Sequence, residues 1–115
     1  DRSPPMITNE PQLIASAAQV IEIGINHASA CAGVIVSAYG DPGVAHLQDK
    51  LSVPVIGICE ASMIMAAGRD RKFGVATVTP DLADAIAARA DSLGLTQLYT
   101  GIRCAKACQQ QRSIV

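Results

Sequence analysis

Cys59 closes the apolar run Val-Pro-Val-Ile-Gly-Ile-Cys and stands directly before a helical stretch that opens on Glu60. A thiol at a helix N-terminus can have a lowered pKa and serve as a nucleophile or proton-transfer base. The competing role is that of a small buried hydrophobe, as free cysteine often is. Glu60 tips the balance toward burial, because a neighbouring carboxylate opposes thiolate formation. A second cluster is Tyr39-Gly-Asp-Pro-Gly43. Gly40 and Gly43 let backbone N–H groups approach a ligand closely, and a helix begins just beyond, with an N-terminus suited to an anion. The same residues also make an ordinary tight strand-to-helix turn, and the local pattern does not separate the two roles. Thr77 and Thr79 flank the end of a third apolar run. Two hydroxyls beside a helix N-terminus can hold a carboxylate, and Thr79 is also expected to cap that helix. Cys104 and Cys108 lie four apart, but two thiols alone make a poor metal site and read as unpaired. His27 and His46 are isolated and read as surface residues. No metal-ligating cluster, Gly-x-Gly-x-x-Gly motif or Walker loop is present.

These residues need elements to position them. Thr8 and Asn9 are N-cap candidates with Pro11 in the tolerated first turn. Leu13, Ile14, Ala17, Ile21, Gly24 and Ile25 recur at helical spacing, while Gln12, Ser16, Gln19, Glu22 and Asn26 form the polar face. Residues 27–32 read as a turn. Residues 33–38, 53–59 and 73–78 read as short strands with no polar alternation, the pattern of strands buried on both faces. Helices are expected over 44–51, with Ala45, Gln48 and Asp49 outward, and over 60–69, stopped by Gly68. Another is expected to follow Thr79 and Pro80, run through Ala90 and end near Gly94. A fourth strand is expected at 98–102. Alternation of this kind predicts an α/β fold: a three-layer sandwich with a parallel sheet and right-handed crossovers.

Composition narrows the function classes. The chain has 115 residues, half of them hydrophobic and only 3% aromatic, so the core must be built from aliphatic side chains. The net charge is −1 and the isoelectric point near 6.1. Without a Lys/Arg cluster, neither nucleic acid nor an anionic membrane surface is an expected partner. No apolar run approaches the ~20 residues of a spanning helix, and the polar, Pro-rich start (Pro4, Pro5) is unlike a signal peptide. Four cysteines in a chain with a normal core suit a reducing cytoplasm better than a disulfide scaffold. The chain opens on Asp1 rather than Met, which reads as processing or as a fragment of a longer gene product.

Three segments, in order, carry a resemblance: Ser-Ala-Tyr-Gly-Asp-Pro-Gly, Pro-Val-Ile-Gly-Ile-Cys-Glu-Ala-Ser-Met and Phe-Gly-Val-Ala-Thr-Val-Thr. Together they resemble the Asp/Glu/hydantoin racemase superfamily, most of all its hydantoin and allantoin racemases, over roughly residues 5–103. The resemblance implies a racemase-like fold with flavodoxin-like lobes, no cofactor, and two cysteines facing each other across a cleft between the lobes. One thiolate removes the proton from the chiral carbon and the other thiol returns one to the opposite face. The first family cysteine lies three residues before the Asp of Gly-Asp-Pro-Gly, a position occupied here by Ala38, and neighbouring Ser37 is far too weak an acid to replace it. Family members are also roughly twice as long. They open with a strand bearing an Asn-Pro-Asn-Thr-like motif and carry the second cysteine in a later half. By resemblance, Ala38, Tyr39 and Gly40 line the first proton-transfer face, Glu60, Ala61 and Ser62 lie beside it, and Thr77 approaches a carboxylate or ring carbonyl. Residues 1–103 are then a racemase-like α/β domain holding parts of both lobes, and 104–115 a polar tail of uncertain origin. The expected function is two-cysteine 1,1-proton transfer on a hydantoin, allantoin or amino-acid-like small molecule, silenced here at Ala38. The alternatives are a non-catalytic small-ligand binding module, or a one-cysteine decarboxylase or isomerase of the same superfamily. Self-association is expected, from the wide apolar stripe of the first helix and from exposed sheet edges.

Overall fold

A computed structural model describes residues 7–104; the expectations for Pro4, Pro5, Cys108 and the tail beyond Cys104 lie outside this range. The elements follow in the order α1 (Glu10–His27), a short 3-10 turn (Ala28–Ala30), β1 (Val34–Val36), α2 (Val44–Lys50), β2 (Val55–Gly57), α3 (Ile58–Ala67), β3 (Phe73–Thr77), a second 3-10 turn (Pro80–Leu82), α4 (Ala83–Ser92) and β4 (Tyr99–Cys104). The alternating α/β pattern is thus as the sequence implies, with several boundaries moved. β2 ends at Gly57, so Cys59 lies in the first turn of α3 rather than at the end of a strand.

Each pair of strands forms a β-α-β unit. β1 pairs in parallel with β2 in the register Val34–Val55, Ile35–Ile56 and Val36–Gly57. β3 pairs in parallel with β4 from Phe73–Tyr99 to Thr77–Cys104, with an irregularity between Phe73 and Val75. Among the described residues the ladder is therefore divided into two two-stranded sheets rather than one continuous sheet. The chain passes from β2 directly into α3, and β3 takes its hydrogen-bonding partner from β4.

Two apolar clusters hold the units. Val36, Val44, Leu47 and Val55 join α2 to the first sheet, with Val20 and Ile21 of α1 packed against them. Leu13, Cys59, Met63, Leu82, Ile86 and Ala90 join α3 to α4. α1 thus straps both clusters, through Leu13 at one end and Val20 and Ile21 further along. Its buried positions are Leu13, Ser16 and Gly24, not the full stripe that spacing suggests: Ile14 and Ile25 are exposed and Ser16 is inside. Ser16 can be buried because its hydroxyl donates to the Leu13 carbonyl at 2.9 Å. Asn9 starts the helix, its Oδ1 accepting the Gln12 N–H at 2.9 Å. The first sheet also differs from the expectation of two buried faces. Ile35 is 72% and Ile56 46% exposed, so the described elements cover one face only.

Candidate functional site

After β1 the chain bends sharply. The Asp41 N–H donates to the Ala38 carbonyl at 3.1 Å and the Val44 N–H to the Asp41 carbonyl at 3.3 Å. Gly40 takes a φ of +100°, and a Cβ there would sit 2.7 Å from Leu13 Cδ2, so both conformation and space require glycine. Asp41 is a non-glycine residue at φ 56°, an uncommon conformation that Asp tolerates better than most residues.

What holds Asp41 there is its side chain. The carboxylate, 1% exposed, accepts the Cys59 N–H at 2.9 Å and the Glu60 N–H at 2.8 Å, and pairs with Arg89 Nε at 2.7 Å. Cys59 and Glu60 are in the first turn of α3, whose N-terminal N–H groups have no partners within the helix. The N-cap residue is Gly57, which has no side chain. Asp41 therefore supplies from a distant loop the oxygens that a local Ser or Asp would ordinarily provide. Gly57 also makes room for it, since a Cβ there would overlap the Asp41 carboxylate and lie 2.9 Å from Val44 Cγ2. Arg89 of α4 extends the network. Its Nη2 donates to Glu60 at 3.1 Å, and Glu60 also accepts from Gln48 Nε2 at 3.0 Å. One buried carboxylate and one guanidinium thus connect the loop after β1, the start of α3, and α4.

Cys59 is fully buried beneath this network. Burial pushes its thiol pKa up; a hydrogen bond with the Gly40 backbone opposes the rise and the Asp41 charge adds to it. The carboxylate that disfavours a thiolate is therefore Asp41, whereas Glu60 is engaged with Arg89 and Gln48. Tyr39 turns its hydroxyl to Ser62 Oγ at 2.9 Å, and Ser62 in turn donates to the Cys59 carbonyl at 3.1 Å. Burial raises the Tyr39 pKa, partly offset by the Ser62 hydrogen bond.

Tyr39 and Ser62 form one rim of a cleft of about 780 Å³, and the other wall is β3 with the last residues of β4. Of the residues singled out from the sequence, the structure brings Tyr39, Ser62 and Thr77 together around this cleft. Ala38 is half-buried at the base of the Tyr39 bend. Ala38, Gly40, Cys59, Glu60 and Ala61 do not line the space. Cys104, expected only as an unpaired thiol, does line it, as does Arg103. Thr79 does not cap α4. Its hydroxyl lies 2.9 Å from that of Thr77, and a 3-10 turn separates it from the helix. His27 and His46 are exposed, as expected. No group of described residues has the makings of a metal site. Arg89 escaped notice in the sequence. Its signal was its place beside Ile86 and Ala90, on the buried face of α4.

Fold and site define an α/β protein of paired β-α-β units, with a cleft beside the parallel strands β3 and β4. The chain matches the Asp/Glu/hydantoin racemase family over residues 1–113, and it belongs to that family. It is 30% identical over 69 residues to a hydantoin racemase of Pseudomonas sp. (strain NS671), an overlap of 60% of this chain and 28% of that protein. Its fold is similar to that of allantoin racemase from Klebsiella pneumoniae, with a TM-score of 0.79 at 23% identity, over 96% of this chain and 51% of that one. The chain thus spans about half the length of the solved relative, and less of the curated one.

Proposed function

We propose that the cleft is the substrate site of a cofactor-independent racemase-type protein, built for a hydantoin, allantoin or amino-acid-like molecule, and that this chain does not turn such a substrate over. One observation carries the proposal: Tyr39, within the family-like loop 37–43, forms the cleft rim, while its neighbour in that loop, position 38, is alanine and stands outside the lining. Two-base 1,1-proton transfer needs a thiolate on one face of the chiral carbon and a thiol on the other. Alanine can be neither. Cys59, whose backbone N–H is bound by Asp41 of the motif, is buried and held toward its neutral form. Losing one positioned acid–base group lowers the rate by roughly a hundred- to ten-thousand-fold.

The test is exchange of the α-proton for deuterium, followed together with optical rotation, on hydantoins, allantoin and amino acids. No exchange is expected from the unmodified chain, and Ala38→Cys alone is expected to restore no racemisation, since it supplies one face only. Robust exchange by the unmodified chain overturns the proposal. A second reading, a one-cysteine isomerase or decarboxylase, draws on Cys104, which lines the cleft. Activity abolished by Cys104→Ser would favour it. Four cysteines in a chain with an ordinary apolar core suit a reducing compartment such as the cytoplasm. No described helix is long and apolar enough to cross a membrane.

A further inference from the structure

We infer that the backbone of Ala76, at the open edge of β3, binds the cis-amide edge of a small cyclic ligand: a lactam, an imide or a cyclic urea. The inference rests on the cleft being the ligand site and adds which atoms read the ligand.

Six consecutive residues, 73–78, line the cleft. Strand side chains alternate between two faces, so neighbours cannot all meet one space through side chains, and Gly74 has none. What these residues share is the edge of the strand. Among the described residues β3 pairs with β4 only, which leaves its other edge open. Hydrogen bonds fix which backbone groups face that edge. The Phe73 N–H donates to the Leu98 carbonyl at 2.9 Å, and the Phe73 carbonyl accepts from Thr100 Oγ1 at 3.0 Å. Both backbone groups of Phe73 therefore point toward β4. From the Phe73–Tyr99 pair to the Val75–Ile102 pair, β3 advances two residues and β4 three. The extra residue belongs to β4, so alternation along β3 is unbroken. Val75 and Thr77 then also face β4, while Gly74 and Ala76 turn N–H and carbonyl to the open edge.

Ala76 is the better held of the two. It lies between the in-register pairs Val75–Ile102 and Thr77–Cys104, whereas Gly74 sits at the irregularity. Its N–H and carbonyl stand side by side, a donor next to an acceptor. An amide closed into a five-membered ring is forced cis and carries its own carbonyl and N–H on one edge, in the complementary order. An open-chain secondary amide is trans, with the two groups on opposite edges. A carboxylate has no donor to offer the Ala76 carbonyl. The cleft volume of about 780 Å³ suits a small ligand. Met63, Ala66, Phe73 and Val75 supply an apolar wall for a ring substituent.

Three neutral probes test the edge. 5-Benzylhydantoin has cis amides, its 1,3-dimethyl derivative has no donor, and N-acetyl-phenylalanine N-methylamide is an open-chain counterpart with trans amides. Each is titrated into the isotope-labelled full chain while backbone amide signals are followed by NMR. The hydantoin is expected to shift the Ala76 amide most among residues 73–78. It should bind about tenfold more tightly than the dimethyl ring, the scale of one to two hydrogen bonds. The open-chain amide should bind more weakly than the hydantoin, because it also loses rotational freedom. Ala76→Pro removes the N–H at an edge position where proline is tolerated, and should abolish the preference for the hydantoin over the dimethyl ring. Equal binding of the two rings, or a preference that survives Ala76→Pro, overturns the inference. So does tighter binding of the open-chain amide, which would make the edge a site for an extended peptide. Hydantoin binding that shifts Tyr39, Ser62 or Thr77 but not Ala76 overturns this inference and leaves the cleft as the ligand site. Binding of no probe in the cleft overturns both.

Discussion

Replacing Asp41 with Asn changes one carboxylate oxygen into an amide nitrogen at a site where every neighbour is a donor. Oδ1 accepts the Cys59 N–H, while Oδ2 accepts both the Glu60 N–H and Arg89 Nε. The better orientation of Asn keeps its oxygen toward Glu60 and Arg89 and sets its NH2 against the Cys59 N–H. That leaves a buried donor without an acceptor, a loss of about 1–3 kcal/mol. The surviving bonds fall from charge-assisted to neutral strength, with a further loss of about 1 kcal/mol. Arg89 retains Glu60 at 3.1 Å and is 17% exposed, so its own loss is cushioned. Asp41→Asn should therefore destabilise the chain by about 3 kcal/mol, lowering Tm by roughly 10–20 °C. Urea denaturation followed by circular dichroism measures this. The same change should cost measurably less in an Arg89→Met background, because the two residues share one network. A loss below about 1 kcal/mol, or strict additivity with Arg89→Met, would refute this account of the network.

Two further outcomes follow from burial. Cys31 is exposed and Cys59 is not, so peptide-resolved mass spectrometry after thiol labelling of the native chain at pH 8 should find Cys31 modified and Cys59 untouched until urea is added; equal rates would contradict the packing. Because burial raises the Cys59 pKa above its ordinary 9.0, the native state holds this proton more tightly than the unfolded chain. Stability is then unaffected by this thiol below pH 9 and declines as pH rises above it, a dependence that Cys59→Ala should flatten. The chain is also expected to self-associate through the exposed isoleucines of α1 and the first sheet, and sedimentation showing only monomer at micromolar concentration would count against it.

The order of elements was legible because each apolar run is bounded by strong punctuation: Asn9 and Pro11 before α1, Gly-Asp-Pro-Gly before α2, Gly68 after α3. Which residues of a run face inward was less legible. Ser16 went to the wrong face because a hydroxyl that bonds its own helix carbonyl is as buriable as an alanine. Ile14 and Ile25 went wrong because apolar spacing says what a helix can bury, not what meets it. Thr79 looked like a cap and spends its hydroxyl on Thr77 instead. Of the candidate site, Tyr39, Ser62 and Thr77 were accessible through motif wording. Arg89 was not, because its role depends on which carboxylates reach it, and Asp41 and Glu60 come from distant elements.

α3 begins at a glycine, and its start signal is held by a residue eighteen positions upstream of the first N–H it satisfies. In evolutionary terms, positions 41 and 57 should behave as a single character spread over two sites, because a Cβ at 57 and the Asp41 carboxylate cannot share the same space. Loss of the carboxylate at 41 removes the cap but frees volume beside 57, where a Ser could then serve as a local cap. Any side chain acquired at 57 while Asp41 remains collides with it. Each change is harmful alone and tolerable with the other, so lineages should carry Asp41 with Gly57, or neither. The exchange would have a consequence of its own: a helix capped from within no longer anchors the Tyr39 loop, which would be free to drift from the cleft it borders.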